Sequence, residues 1–190
     1  NMSGGSFSLG AGTFTSSGFF SVSNGIFNAN SGTVNASNNV FSISGGTLNA
    51  GSAQFFFGNN LSIGAPNDIQ PGTSTVTFNG AGQQDVIAIG TGISSKIVFH
   101  NLIINKPGNS QINFTTTSST DTFQVNNLLT LQAGRFTGSG FIAIERDVVT
   151  LPTFGGSGIP IACTGPNPST VTLAAPLGVT GVSNFVGVLK

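Results

Sequence analysis

The sequence predicts an all-β fold, a parallel β-solenoid (β-helix) with rungs of about 21 residues over residues 1–150, followed by a distinct C-terminal β segment over 151–190. Three observations carry that expectation. Phe20-Ser21-Val22-Ser23-Asn24-Gly25-Ile26-Phe27-Asn28-Ala29 is answered one period later by Phe41-Ser42-Ile43-Ser44-Gly45-Gly46-Thr47-Leu48-Asn49-Ala50, apolar on apolar and Asn-Ala on Asn-Ala. Apolar and small polar residues alternate with a period of two, as at Phe7/Leu9, Phe55/Phe57 and Leu61/Ile63, which is the pattern of half-buried strands. Strong helix formers are thin, and no run sustains a helical period. Self-similarity of this length marks an array in which each coil buries one face on its neighbours, spaced about 4.8 Å apart. Like residues then stack on like: Phe20 beneath Phe41, and Asn28 beneath Asn49, where amides can hydrogen-bond along a ladder.

Taken in order, Phe7-Ser8-Leu9 and Gly12-Thr13-Phe14-Thr15 echo Phe20-Ser21-Val22 and Gly25-Ile26-Phe27-Asn28, which extends the array upstream. Ala65 to Gly72 holds two prolines and the first charge, Asp68, and predicts a loop or rung excursion. Thr75-Val76-Thr77-Phe78-Asn79-Gly80 resumes the alternation and leads into Gly82-Gln83-Gln84-Asp85-Val86-Ile87. The continuous apolar run from Ile97 to Lys106 predicts strands covered on both faces. Residues 111–120 are mostly Thr, Ser and small polar groups around Thr115-Thr116-Thr117. A further copy, Asn126 to Ser139, aligns with Asn38 to Gly51. Beyond Leu151 prolines gather around Cys163 before an alternating tail from Val171 to Leu189, expected to cap the coil or to pair with another copy.

Only 5% of residues are charged, against roughly a quarter in ordinary soluble domains, and the net charge is zero. Solubility rests on Ser, Thr, Asn and Gly, and the repulsion that keeps proteins apart is missing, which favours association. With 38% hydrophobic residues recurring in register, disorder is rejected for residues 7–150. Five scattered Lys and Arg form no stripe for nucleic acid. No stretch predicts a membrane-spanning helix or a signal peptide, and the first residue, Asn1, reads either as a processed terminus or as a cut from a longer chain. The lone Cys163 cannot form an internal disulfide.

Reactive groups are sparse, and the sequence assigns no catalytic residue, no metal ligand and no cofactor. His100 is the only histidine and sits in a strand-like run between Phe99 and Asn101, with Asp85 the nearest acid; a solvent-facing strand residue is the expected reading. Glu145 and Asp147, separated by Arg146, are expected on one face of one strand, as edge charges rather than the paired carboxylates of a glycosidase. Gly155-Gly156-Ser157-Gly158 lacks the lysine of a phosphate loop and reads as turn material. Glycosylation triplets at Asn35, Asn60 and Asn113 are expected by chance in a chain of this composition.

Phe78-Asn79-Gly80 with Gly82-Gln83-Gln84, then Phe99 to Lys106, then Leu128-Leu129-Thr130-Leu131-Gln132-Ala133-Gly134-Arg135-Phe136 resemble the recurring unit of secreted bacterial β-solenoid surface proteins of the adhesin and haemagglutinin-like type. That resemblance implies an extracellular or cell-surface location and a structural or adhesive, non-enzymatic role. The expected partners are copies of the chain itself, joined as fibres or arrays, or a host surface or polysaccharide. The alternative is an ice- or glycan-binding face, suggested by Thr13-Phe14-Thr15, Thr75-Val76-Thr77 and Thr115-Thr116-Thr117, although Ser and Asn interrupt a uniform threonine rank and the chain has no Trp or Tyr for sugars.

Overall fold

The computed structural model describes residues 1–64, 69–88, 96–116, 122–139, 141–166 and 169–174. It is a parallel β-solenoid of about 7 turns, 59% strand and 2% helix, which settles the fold class. Each early coil lays one short strand on each of three faces. The first face carries β1 (Ser6–Ser8), β4 (Ile26–Asn28), β7 (Thr47–Asn49) and β10 (Ile69–Gln70). The second carries β2 (Thr13–Thr15), β5 (Thr33–Ala36), β8 (Gln54–Phe57) and β11 (Thr75–Phe78), and the third β3 (Phe20–Val22), β6 (Phe41–Ile43), β9 (Leu61–Ile63) and β12 (Gln84–Ala88).

Later coils fuse faces into longer strands. In β13 (Lys96–Asn105), Lys96 to Phe99 belongs to the first face and Asn101 to Asn105 to the second, and β14 (Gln111–Thr116) follows on the third after a 3-10 turn at Pro107–Asn109. One strand, β15 (Thr122–Gly138), runs round all three faces and joins the second and third into a single 16-stranded sheet. The rung is 21 residues between Asn28 and Asn49, and lengthens to 26 between Thr75 and Asn101 and again between Asn101 and Asn127.

The stacking expected from the repeat is present. Phe20 pairs with Phe41 and Asn28 with Asn49, and the Asn49 Nδ2 donates to the Asn28 Oδ1 (2.7 Å). Two of the weaker echoes have other meanings. Phe7 pairs with Phe27 and Phe14 with Val34, not with Phe20 and Phe27, and the copy from Asn126 places its Leu128 to Leu131 on the second face, whereas the aligned Phe41 to Ile43 lies on the third. All three faces need the same in-out alternation followed by a small turn residue, so the sequence resembles itself from face to face as well as from coil to coil.

The run expected to be covered on both sides is instead two alternating strands joined at a corner. Ile97, Phe99, Leu102 and Ile104 point into the core, while Val98 and Ile103 lie half-buried on the outside, and the ladder skips a position between Phe99 and Asn101. The bulge resets the alternation, which made inward and outward residues look continuous. Glu145 and Arg146 likewise form a bend between β16 (Phe141–Ile144) and β17 (Asp147–Thr150), so Glu145 and Asp147 do not share a strand face.

Three strands beyond Leu151 continue the parallel ladder: β18 (Phe154–Ser157) and β20 (Val171–Leu173) pair with β15 and β17, and β19 (Ile161–Cys163) with β16. The rest of the tail read as a cap or exchanged strand, residues 175–190, lies outside the described residues, as do residues 65–68 and 117–121.

Phenylalanines fill the axis. Phe20, Phe41, Phe57, Phe78, Phe114, Phe136 and Phe154 form a continuous column with successive ring centroids 5.1 to 6.5 Å apart. A second column stands at the corner between the first two faces, where Gly10, Asn30, Gly51 and Gly72 have φ of 67°, 55°, 60° and 54°. The next residue donates its N–H to the carbonyl of the column residue one coil below, as Ser52 to Asn30 (2.6 Å) and Thr73 to Gly51 (2.7 Å). A Cβ on Gly51 would sit 2.3 Å from the Asn30 oxygen in a left-handed conformation that side chains resist. Gly51→Ala is expected to lose about 1–3 kcal/mol in urea unfolding, against a few tenths for an alanine at the open Gly18.

Candidate functional site

Three surfaces and one interior corner concentrate the polar chemistry of the coil. The first surface is its N-terminal end. Among the described residues β1, β2 and β3 pair on one side only, and the edge of β3 is touched by a single bridge from Met2 to Val22. Phe7 stacks on Phe27 (5.3 Å) and edge-on to Phe14 (6.2 Å) and is 41% exposed. Ile26, paired with Ser6, and Phe19 are exposed apolar residues as well. No charged residue lies among residues 1–64.

The second surface is the set of polar ladders outside the coil. On the third face, Asp85 accepts from the Nδ2 of Asn113 (3.0 Å) and the Nε2 of Gln83 (3.2 Å), and its own N–H donates to the Asn60 Oδ1 (2.8 Å). On the second, Asn127 donates to Asn101 (2.8 Å) and Asn101 to the Thr75 hydroxyl (3.3 Å). Asn35, Asn60 and Asn113 therefore spend their amides within the fold. The third surface is a shallow groove of about 300 Å³ lined by Gln111, Arg135, Thr137 and Gly155 to Gly158, a run that lies in β18 up to Ser157 rather than forming the expected turn, and it continues past Gly155 along Asn109 and Thr153. There Gln111, with its amide oxygen turned to Arg135, accepts from the guanidinium Nε and Nη2 (3.2 and 2.5 Å).

The sequence-singled residues are not brought together. Asp85 lies in β12 on the third face, His100 at the corner within β13, and Glu145 and Asp147 at a later corner. Among the described residues no three His, Cys, Asp or Glu side chains gather as metal ligands, and no helix is long and apolar enough to cross a membrane. Cys163 is buried beside Ser169, and desolvation raises its thiol pKa.

The interior corner is what sequence reading missed. Lys106 is fully buried; its Nζ donates to the Gly80 carbonyl (2.8 Å) and to the Gln84 Oε1 (2.5 Å). Gln84, equally buried, also receives the Gly80 N–H (3.0 Å) and donates its Nε2 to the carbonyls of Phe57 (2.9 Å) and Asn59 (2.8 Å). No carboxylate is among these partners, and desolvation lowers the Lys106 pKa to about 8. A signal was present in the sequence: Gln84 shares parity with Val86 and Ala88, and Lys106 with Leu102 and Ile104, so strict alternation sends both inward.

Compared with known protein families, curated proteins and solved structures, the chain matches none.

Proposed function

We propose that the chain is an extracellular structural or adhesive β-solenoid that associates with copies of itself through the ends of the coil, building fibres or a surface stalk, and that it is not an enzyme. The observation that carries this reading is the parallel ladder itself, in which like coil pairs on like coil in register and no charged residue interrupts residues 1–64. Soluble proteins protect edge strands with lysine, proline, bulges or a covering segment, because free N–H and C=O groups template further pairing. Ser6–Ser8 and Thr13–Thr15, each paired on one side only among the described residues, hold no lysine or proline, and Phe7 is 41% exposed. Another coil with the same alternation could extend both ladders together. A net charge of zero leaves little to oppose the approach.

Negative-stain electron microscopy with sedimentation tests this: regular filaments or discrete oligomers are expected, and a dispersed monomer at high concentration refutes self-association. Phe7→Asp places a charge beside the β1 ladder and is expected to shift the population to monomer, with urea unfolding reading separately the loss of its contact with Phe27.

Ice or glycan binding is the weaker reading. The second face carries a rank of Thr13, Thr33, Gln54 and Thr75 and another of Thr15, Asn35, Phe56, Thr77 and Ile103, in which amides and apolar groups interrupt the threonines. Thermal hysteresis at the level of the buffer rejects the ice reading.

A further inference from the structure

The geometry points to a covalent use of the buried corner: the Lys106 amine attacks the Gln84 carboxamide and forms an isopeptide cross-link between successive coils, releasing ammonia. The two side chains come from positions 22 residues apart and meet inside the coil with the amine on the amide oxygen (2.5 Å), one covalent bond from the carbon it would attack. Holding a nucleophile and its target in contact replaces a bimolecular encounter by a unimolecular step.

Each atom of the amide is held in a way that suits the exchange. The Gly80 N–H already donates to Oε1 (3.0 Å) and stays on that oxygen as negative charge develops there. The Nε2 is fixed by the Phe57 and Asn59 carbonyls, which orient the plane of the amide and the departing nitrogen. A new bond forms between Lys106 Nζ and Gln84 Cδ, the bond from Cδ to Nε2 breaks, and the proton shed by Nζ leaves on Nε2 as ammonia. One amide replaces another, so the step needs neither oxidant nor reductant.

Burial supplies the driving force and readies the nucleophile. Desolvation lowers the amine pKa to about 8, so a share of Lys106 is neutral and nucleophilic near neutral pH. The ammonium that remains is buried with no carboxylate among its hydrogen-bond partners, and Asp85, the acid next to Gln84 in the chain, points outward to Asn60, Gln83 and Asn113. Forming a neutral amide removes that uncompensated buried charge, and dilution carries the ammonia away. The product is a staple across coils that the hydrogen-bonded ladder alone holds together, and it does not depend on how the coil ends associate.

The test is the intact mass of the folded full chain, followed by a peptide map, after incubation at increasing pH. Loss of one ammonia is expected, with a single digest fragment joining the Gln84 and Lys106 peptides, formed faster as pH rises through about 8. The Lys106→Met chain is expected to keep its full mass. Should that variant not fold, the map of the native chain decides alone. Separate Gln84 and Lys106 peptides after prolonged alkaline incubation of folded protein overturn the proposal, including the case where ammonia is lost only from asparagines.

Discussion

Gln84→Leu is expected to lower the free energy of unfolding by about 3–5 kcal/mol, one of the largest effects of any single substitution in this chain. Leucine nearly preserves the volume of the side chain, so packing at the corner changes little and the loss reports the polar groups. The Phe57 and Asn59 carbonyls and the Gly80 N–H lose the partner that reaches them inside the coil, at about 1–3 kcal/mol for each buried group left unsatisfied. Lys106 keeps only the Gly80 carbonyl. Urea unfolding checks the figure, with the exposed Gln54→Leu as the comparison expected to stay within roughly 0.5 kcal/mol. The double variant Gln84→Leu with Lys106→Met is expected to be more stable than Gln84→Leu alone, because it removes the buried charge along with its acceptor. A double variant no better than the single would show that the lysine is not the source of the loss.

That corner also marks how far the fold could be read from the residues. The first coils are legible because they are nearly exact copies: Phe20 over Phe41 and Asn28 over Asn49 follow from the period alone. From Gly64 onward the rung lengthens and strands turn corners without a break, so period and face no longer coincide, and the apolar run at β13 looked two-sided although it is a bent, one-sided strand. The site was less legible than the fold for a different reason. The five Lys and Arg stood out only as too scattered for a nucleic-acid stripe, yet the alternation around Lys106 and Gln84 already pointed both inward. Periodicity was the better guide than residue type, since a polar residue at an inward position is the departure that calls for an explanation.

The second large effect is expected at the centre of the aromatic column. Phe114 is fully buried and its ring meets Phe123 (4.6 Å), Phe136 (5.3 Å) and Phe78 (6.5 Å), which links the coil before it to the coil after it. Phe114→Ala should cost about 3–5 kcal/mol through the lost transfer energy and the cavity left behind, since strands fixed on both sides by ladders cannot collapse into the gap. The consequence in a solenoid goes beyond the magnitude. Each coil touches only its neighbours, so stability is close to a sum of coil terms and interface terms, and weakening one central interface uncouples the two halves. Unfolding by urea is expected to broaden into two transitions, with hydrogen exchange protecting one half after the other has opened. Phe14→Ala, at a half-buried residue outside the column, should cost less and leave a single transition. If Phe114→Ala unfolds in one sharp step, the halves are coupled by the ladders themselves and the aromatic column adds only burial. Two steps would make the column the element that carries cooperativity along the coil.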